Sequence, residues 1–392
     1  MEAAPVEAVQ KRLHLSDNAI FFFLIIQVVS VMVSVAASSI AFGIAVALWL
    51  AKMVLDRRPL VQRTPLDYFF LAYVLAEILS TATAAAPAES FLNMKRLLLI
   101  VVVYLTASVA YGEKRIKLLL GLLVGVASVL SILEIAMLFL HHQSRLHLFQ
   151  HYMTTGGMKM VVLLLLVPFL LHRETPVKLK VGGIIALVPV FVALLLTYTR
   201  SAWLGFVAGA VVMGAARYRW VLPSLLVLVL AFFLFAPASL TERATSIVDP
   251  NDPTVASRLT MWSTGLKIFA DHPLLGIGDV DVHEAYARYK SPGDEEFGGH
   301  LHSNYVQLLV TLGSFGFVVV MALFLRILTT EFQKFRQWRS DWLFGSLSLG
   351  SLSVFVGFLV AGLFEWNFGD HEIMTLVWAT VGLSLVGDRD GT

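Results

Sequence analysis

The chain has 392 residues and no cysteine, so a disulfide scaffold, a thiol nucleophile, a thiolate zinc site and a cysteine-held iron-sulfur cluster are all excluded. Charge is scarce as well. Only 14% of residues are Asp, Glu, Lys or Arg, against 58% hydrophobic, a balance far from that of a soluble domain. The formal net charge is +2 and the basic residues are scattered between apolar runs, which leaves no basic domain for nucleic acid.

Long apolar runs fill the chain instead. A helix needs about 20 mostly apolar residues to cross roughly 30 Å of hydrocarbon, because lipid offers its backbone no hydrogen-bond partner. By that criterion the sequence predicts an all-α integral membrane protein with about twelve spans, over approximately 19–36, 39–55, 66–84, 94–111, 117–140, 159–171, 182–198, 202–216, 220–236, 304–326, 344–364 and 372–387. Nine spans in 1–236 and three in 304–392 then flank a long polar segment, 237–303. Val35-Ala36-Ala37 would pass as a signal-peptidase site, but a second span follows at once, which favours a retained first span.

Most Lys and Arg, among them Lys52, Arg57, Arg115, Lys178, Arg217 and Arg336, fall at span ends that an even count places on one side. The positive-inside rule makes that side, with both termini, cytoplasmic. Lys95, Arg96, Arg145, Lys159 and Arg200 lie at the opposite, outer ends, where snorkelling to lipid phosphates or an anion site would account for them. The long segment is outer too. It contains Leu259, Trp262, Leu266 and Phe269 at helical spacing, so it is expected to be partly helical and to rest on the membrane surface.

Chemistry concentrates in Gly299-His300-Leu301-His302-Ser303-Asn304, just before the tenth span. Ser303 or Asn304 is a plausible helix cap, and His302 beside it is a candidate proton acceptor. His300 and His302 form a His-x-His pair, but no third ligand stands at a familiar spacing, so no metal is expected. Asp279-Val280-Asp281 reads as solvated surface, Gly276-Ile277-Gly278 as a turn, and His141, His142, His147 and His151 as an interfacial loop.

Three motifs occur in order: Thr197-Tyr198-Thr199-Arg200-Ser201-Ala202-Trp203, then Ser257-Arg258 with Trp262, His272-Pro273 and Gly276-Ile277-Gly278, then His302-Ser303-Asn304 with Gly313 and Gly316. Their order around the longest outer loop resembles the bacterial O-antigen ligase and polymerase superfamily, the ligase branch best. That resemblance implies a GT-C-like glycosyltransferase of the bacterial inner membrane with its active site facing the periplasm. The donor would be an undecaprenyl-diphosphate-linked glycan and the acceptor a lipid A-core oligosaccharide, with no cofactor. His302 would match the family's essential histidine, and Arg200 and Arg258 its essential arginines. Arg145 and Lys159 are further candidates for the diphosphate, and His300, Lys95 and Arg96 for substrate. A polymerase of the same superfamily is the nearest alternative. A transporter would instead show two similar halves and ionisable residues at mid-membrane, where only Glu77 and Glu134 qualify.

Overall fold

The computed structural model describes residues 6–57, 60–142, 144–247, 249–292 and 299–388, and among them it contains helices and no strand. The first half holds α1 (Val6–Ser30), α2 (Val35–Asp56), α3 (Asp67–Thr83), α4 (Pro87–Asn93), α5 (Ile100–Val109), α6 (Glu113–Leu140), α7 (Tyr152–Leu171) and α8 (Val177–Leu196). The second half holds α9 (Arg200–Ala216), α10 (Val221–Phe235), α11 (Ala238–Thr245), α12 (Pro253–Asp271), α13 (His283–Tyr289), α14 (Asn304–Gln337), α15 (Phe344–Ala361) and α16 (His371–Ser384). Every apolar run read from the sequence falls on a helix. Among the described residues, however, 7 stretches are long and apolar enough to cross a membrane unaided: α2, α4 through α5, α6, α7, α8, α14 and α15. The helices α3, α9, α10 and α16 are shorter.

Burial sorts the helices into layers. α15 packs on α9, α7 and α14, and almost every α15 side chain is buried. By contrast α10 buries none of its residues, although it is nearly all Leu, Val and Phe. Apolar side chains such as Leu226, Val227 and Phe235 have no place in water, so this outer surface belongs against lipid tails and the chain is a multi-pass membrane protein. Within the bundle, Glu134 pairs with Lys159 at 2.9 Å and Glu77 with Arg96 at 2.7 Å. Neither acid is left alone in a low dielectric, as buried charge requires.

α14 breaks at Gly313, whose φ of 65° and ψ of −171° are open essentially to glycine alone. The break frees backbone groups that lipid cannot satisfy, and the 273–278 segment takes them up. Ile277 N donates to Val310 O and Gly278 N to Thr311 O, both at 3.0 Å, while Ser314 N and Phe315 N donate to Pro273 O and Leu274 O. Ser80 of α3 donates to Leu275 O and Thr311 O. Gly276-Ile277-Gly278 is therefore more than a turn: it stitches the long segment to a membrane helix.

The amphipathic stretch expected around 255–269 is α12, but its buried stripe is Met261, Thr264, Gly265 and Ile268, packed on α14. Leu259 and Leu266, read as part of the apolar face, stand exposed on the other side. Gly265 is what allows the contact, since a side chain there would meet Leu301 and Val306.

Candidate functional site

At one end of the bundle the starts of α7, α9, α12, α14 and α16 meet the connection between α15 and α16. Ser303 caps α14, its hydroxyl accepting from Val306 N, and this places His302 just outside the helix with a left-handed φ of 44°. A non-glycine residue in that region is held there by its surroundings. Trp262 of α12 supplies part of the hold, donating to Leu301 O at 3.0 Å, and Leu301 N donates to Gln307 Oε1 at 2.9 Å.

Asn304 N donates to Gly362 O at 2.7 Å, and Asn304 Oδ1 accepts from Phe368 N at 3.0 Å. These bonds clamp the 362–368 connection against the start of α14 and bring in Glu365, an acid that the sequence motifs do not announce. Its carboxylate lies 3.0 Å from His302 Nδ1 and 3.5 Å from His300 Nε2. On its far side Arg258 comes within 3.8 Å. Burial would raise the Glu365 carboxyl, but hydrogen bonds from His300 and His302 outweigh it and hold the group well below the usual carboxylate range. With Nδ1–H directed at an ionised carboxylate, the His302 tautomer is set and Nε2 is left as the acceptor.

Arg200 starts α9 after Tyr198, another residue with positive φ, at 53°. Its guanidinium donates to Ser246 O at 2.8 Å, Ser246 Oγ at 2.6 Å and Asp252 Oδ1 at 3.3 Å, and also to Thr254 Oγ1. Asp252 caps α12, accepting from Thr254 N and Val255 N. Burial would raise the Asp252 carboxyl, but the Thr254 hydroxyl, the Arg200 charge and the cap bonds bring it down to about 2. Arg200 thus fixes the entry of α12, which carries Arg258 to Glu365. Arg258 has freer hands: among the described residues its buried Nε lacks a hydrogen-bond partner. Burial lowers the Arg258 guanidinium, the Glu365 carboxylate opposes that, and Arg200 adds to it.

Sequence reasoning left Arg243 unassigned. It lies 3.9 Å from Asp252, and burial followed by the charges of Arg200 and Arg145 pulls it down to about 10. Arg145 itself stacks on Tyr152, 4.5 Å from the ring centre. Arg200, Arg243 and Arg258 thus share two carboxylates, Asp252 and Glu365, while Arg145 adds its charge to Arg243, so this group carries a positive surplus.

The structure sends other candidates elsewhere. Lys159, expected at the outer surface near an anion, is buried inside the bundle against Glu134. Arg96 is held by Glu77 and by Asp279 at 3.1 Å, with its guanidinium 5.4 Å from the Trp366 ring. Asp279 is accordingly not solvated surface. Burial raises its carboxyl to about 6 although Arg96 pulls the other way. Lys95 is exposed nearby. His141, His142, His147 and His151 are all exposed, and His151 also caps α7.

Two cavities meet this cluster. One, of about 620 Å³, is lined by His151, Tyr152, Thr154, His302, Glu365 and Asp370 among others. The other, about 120 Å³, is lined by Arg200, Arg258, Trp262 and Phe364. Glu365 now supplies the third ligand that the His-x-His pair lacked, and the ligand atoms of His300, His302 and Glu365 lie within 4.8 Å of one another. The surroundings suit a cation poorly, because Arg258 reaches the same carboxylate and the positive end of α14 adjoins it.

These features define a polytopic helical membrane protein in which a carboxylate-oriented imidazole and a guanidinium cluster share one end of the bundle. Residues 185–321 match the family described as O-antigen ligase, which bears out the resemblance read from the motifs. The match spans about a third of the chain. It covers Arg200, Arg258 and His302 but stops short of Glu365. Among curated proteins none matches the chain.

Proposed function

We propose that the protein is an O-antigen ligase, moving a glycan from undecaprenyl diphosphate to a sugar hydroxyl of lipid A-core and so completing lipopolysaccharide. In this reading it spans the bacterial inner membrane twelve times, in a GT-C-like arrangement, with both termini cytoplasmic and segment 237–303 over a periplasmic site. The observation that carries it is the line Arg258, Glu365, His302, which joins an anion-stabilising group to a proton acceptor through one carboxylate.

The acceptor hydroxyl attacks the anomeric carbon while the bond from that carbon to the diphosphate oxygen breaks. The hydroxyl proton passes to His302 Nε2, and Glu365, accepting Nδ1–H, stabilises the imidazolium that forms. The bonding pair leaves with the diphosphate, whose growing charge meets Arg258 and the positive surplus around it in a partly dry pocket. Attack opposite the leaving group inverts the anomeric carbon. Arg200, whose donors are taken by Ser246, Asp252 and Thr254, positions α12 and adds charge rather than grasping the diphosphate with a free fork. Arg243 and Arg145 contribute field, and His300 orients Glu365. No step calls for a metal.

The test is transfer by the purified protein from an undecaprenyl-diphosphate glycan to lipid A-core. Glycosylated lipid A-core is the expected product. Glycan extended on a second undecaprenyl carrier, with lipid A-core untouched, would identify a polymerase instead, and no transfer to either would refute the reading.

A further inference from the structure

A third cavity, of about 740 Å³, runs between α2, the turn Met94–Leu99 with the start of α5, and α16. Its walls are mostly apolar, with Phe42, Val46, Leu98, Val101 and Met374 among them. Gly369 and Asp370 line both this cavity and the 620 Å³ cavity of His302, so the two adjoin at these residues. Besides the Tyr73 phenol, the ionisable residues that line it are Lys95, Arg96, Asp370 and His371. Arg96 is committed to Glu77 and Asp279, and Asp370 caps α16 and accepts from Thr154 at 2.7 Å. Lys95 makes no ion pair among the described residues and is exposed.

A second apolar groove, about 540 Å³, lies between α8, α9 and α10. It shares Leu204 and Ile247 with the small cavity of Arg200 and Arg258. Two lipid-facing grooves therefore end on chemically different groups, one on the guanidinium cluster and one on the histidine cavity. In a displacement at carbon the leaving diphosphate needs the cations and the attacking hydroxyl needs the base, which gives each groove a different substrate.

We propose that the groove of α2, α5 and α16 holds the acyl anchor of the acceptor, with Lys95 meeting an anionic group of its head and the sugar passing Gly369 and Asp370 to reach His302. The assignment rests on the transferase reading and adds to it the groove that seats the acceptor and the path its sugar takes. Apolar walls suit acyl chains, and an unpaired cation suits a phosphate.

Gly43 lines the groove and a Cβ at that position meets no atom within 4 Å, so the side chain of Gly43→Trp starts into open space there. With lipid A-core as acceptor, this variant should raise acceptor KM about tenfold or more by excluding acyl methylenes, while donor KM and kcat stay as in wild type. The deacylated core oligosaccharide should be used equally by variant and wild type. Lys95→Glu should raise KM for the phosphorylated acceptor and leave that for a dephosphorylated one unchanged. As a check independent of variants, a diazirine on an acceptor acyl chain should label α2 and α16 in the wild-type protein. Unchanged acceptor KM in Gly43→Trp, a rise in donor KM instead, or labelling equally well suppressed by bulk phospholipid would overturn the assignment and leave the transferase reading standing. Failure of wild type to transfer to any acceptor would remove both.

Discussion

Glu365 Oε1 lies 3.0 Å from His302 Nδ1, although 63 positions separate the two residues in the chain. This pair decides what His302 can do: the carboxylate fixes which ring nitrogen is protonated, and it is present to stabilise the charge that appears when the other nitrogen takes a proton. Glu365→Gln keeps the shape and removes the charge. Its kcat is expected to fall by about 10² to 10⁴, as for His302→Ala, with donor KM little changed. His300→Ala should lose much less. Steady-state kinetics of the three variants check this, and equal activity in His302→Ala and His300→Ala would remove the base assignment.

Arg200→Lys tests the fork that ties α9 to the cap of α12. Lysine keeps the charge but cannot serve Ser246, Asp252 and Thr254 together. Weakening these bonds to part-buried Ser246 and Asp252 and exposed Thr254 should cost about 1 kcal/mol of stability. Faster hydrogen exchange at the start of α12, together with reduced turnover, is the expected signature, while wild-type exchange there would show that the fork does not position the helix.

Chelation separates the two uses of His300, His302 and Glu365. Transfer in membranes stripped of divalent ions is expected to persist. Complete loss, restored by one particular metal, would mean that the trio holds an ion.

The pH dependence of the α12 attachment follows from Asp252. Its value in the fold, about 2, lies below the roughly 3.9 of an unfolded Asp. The unfolded chain therefore binds the proton first as the pH drops. The stabilisation by Asp252 is complete above the unfolded value and is lost as the pH falls toward about 2. The protection of the Thr254 and Val255 amides, taken relative to their intrinsic exchange rates at each pH, should be constant down to about pH 5 and fall below about 4. Asp252→Asn should abolish that dependence.

The helices were legible in the sequence because lipid leaves the backbone no alternative, and apolar runs of the right length announce themselves. Lengths were less legible. α7 begins at Tyr152, seven residues ahead of the apolar run expected from 159, because its first turns hold Thr155, Gly156 and Gly157 packed inside the bundle. Lys159 was misread for the same reason: its partner Glu134 comes from another helix, and nothing in the local sequence joins them. Arg200, Arg258 and His302 were visible through their motifs, but the bonds that saturate Arg200 depend on how the long segment folds back. Glu365 was missed because it is a single acid in a short connection. The usable signal was topological: residues at the end of α15 and the start of α14 must emerge on the same side of the bundle.

The most direct test of the account is a structure of the protein with undecaprenyl diphosphate bound. Phosphate oxygens within hydrogen-bonding distance of Arg258, with the bridging oxygen facing the cavity of His302, is the predicted arrangement. A diphosphate seated away from the Arg258 and His302 cavities, for instance against Lys95, would contradict it.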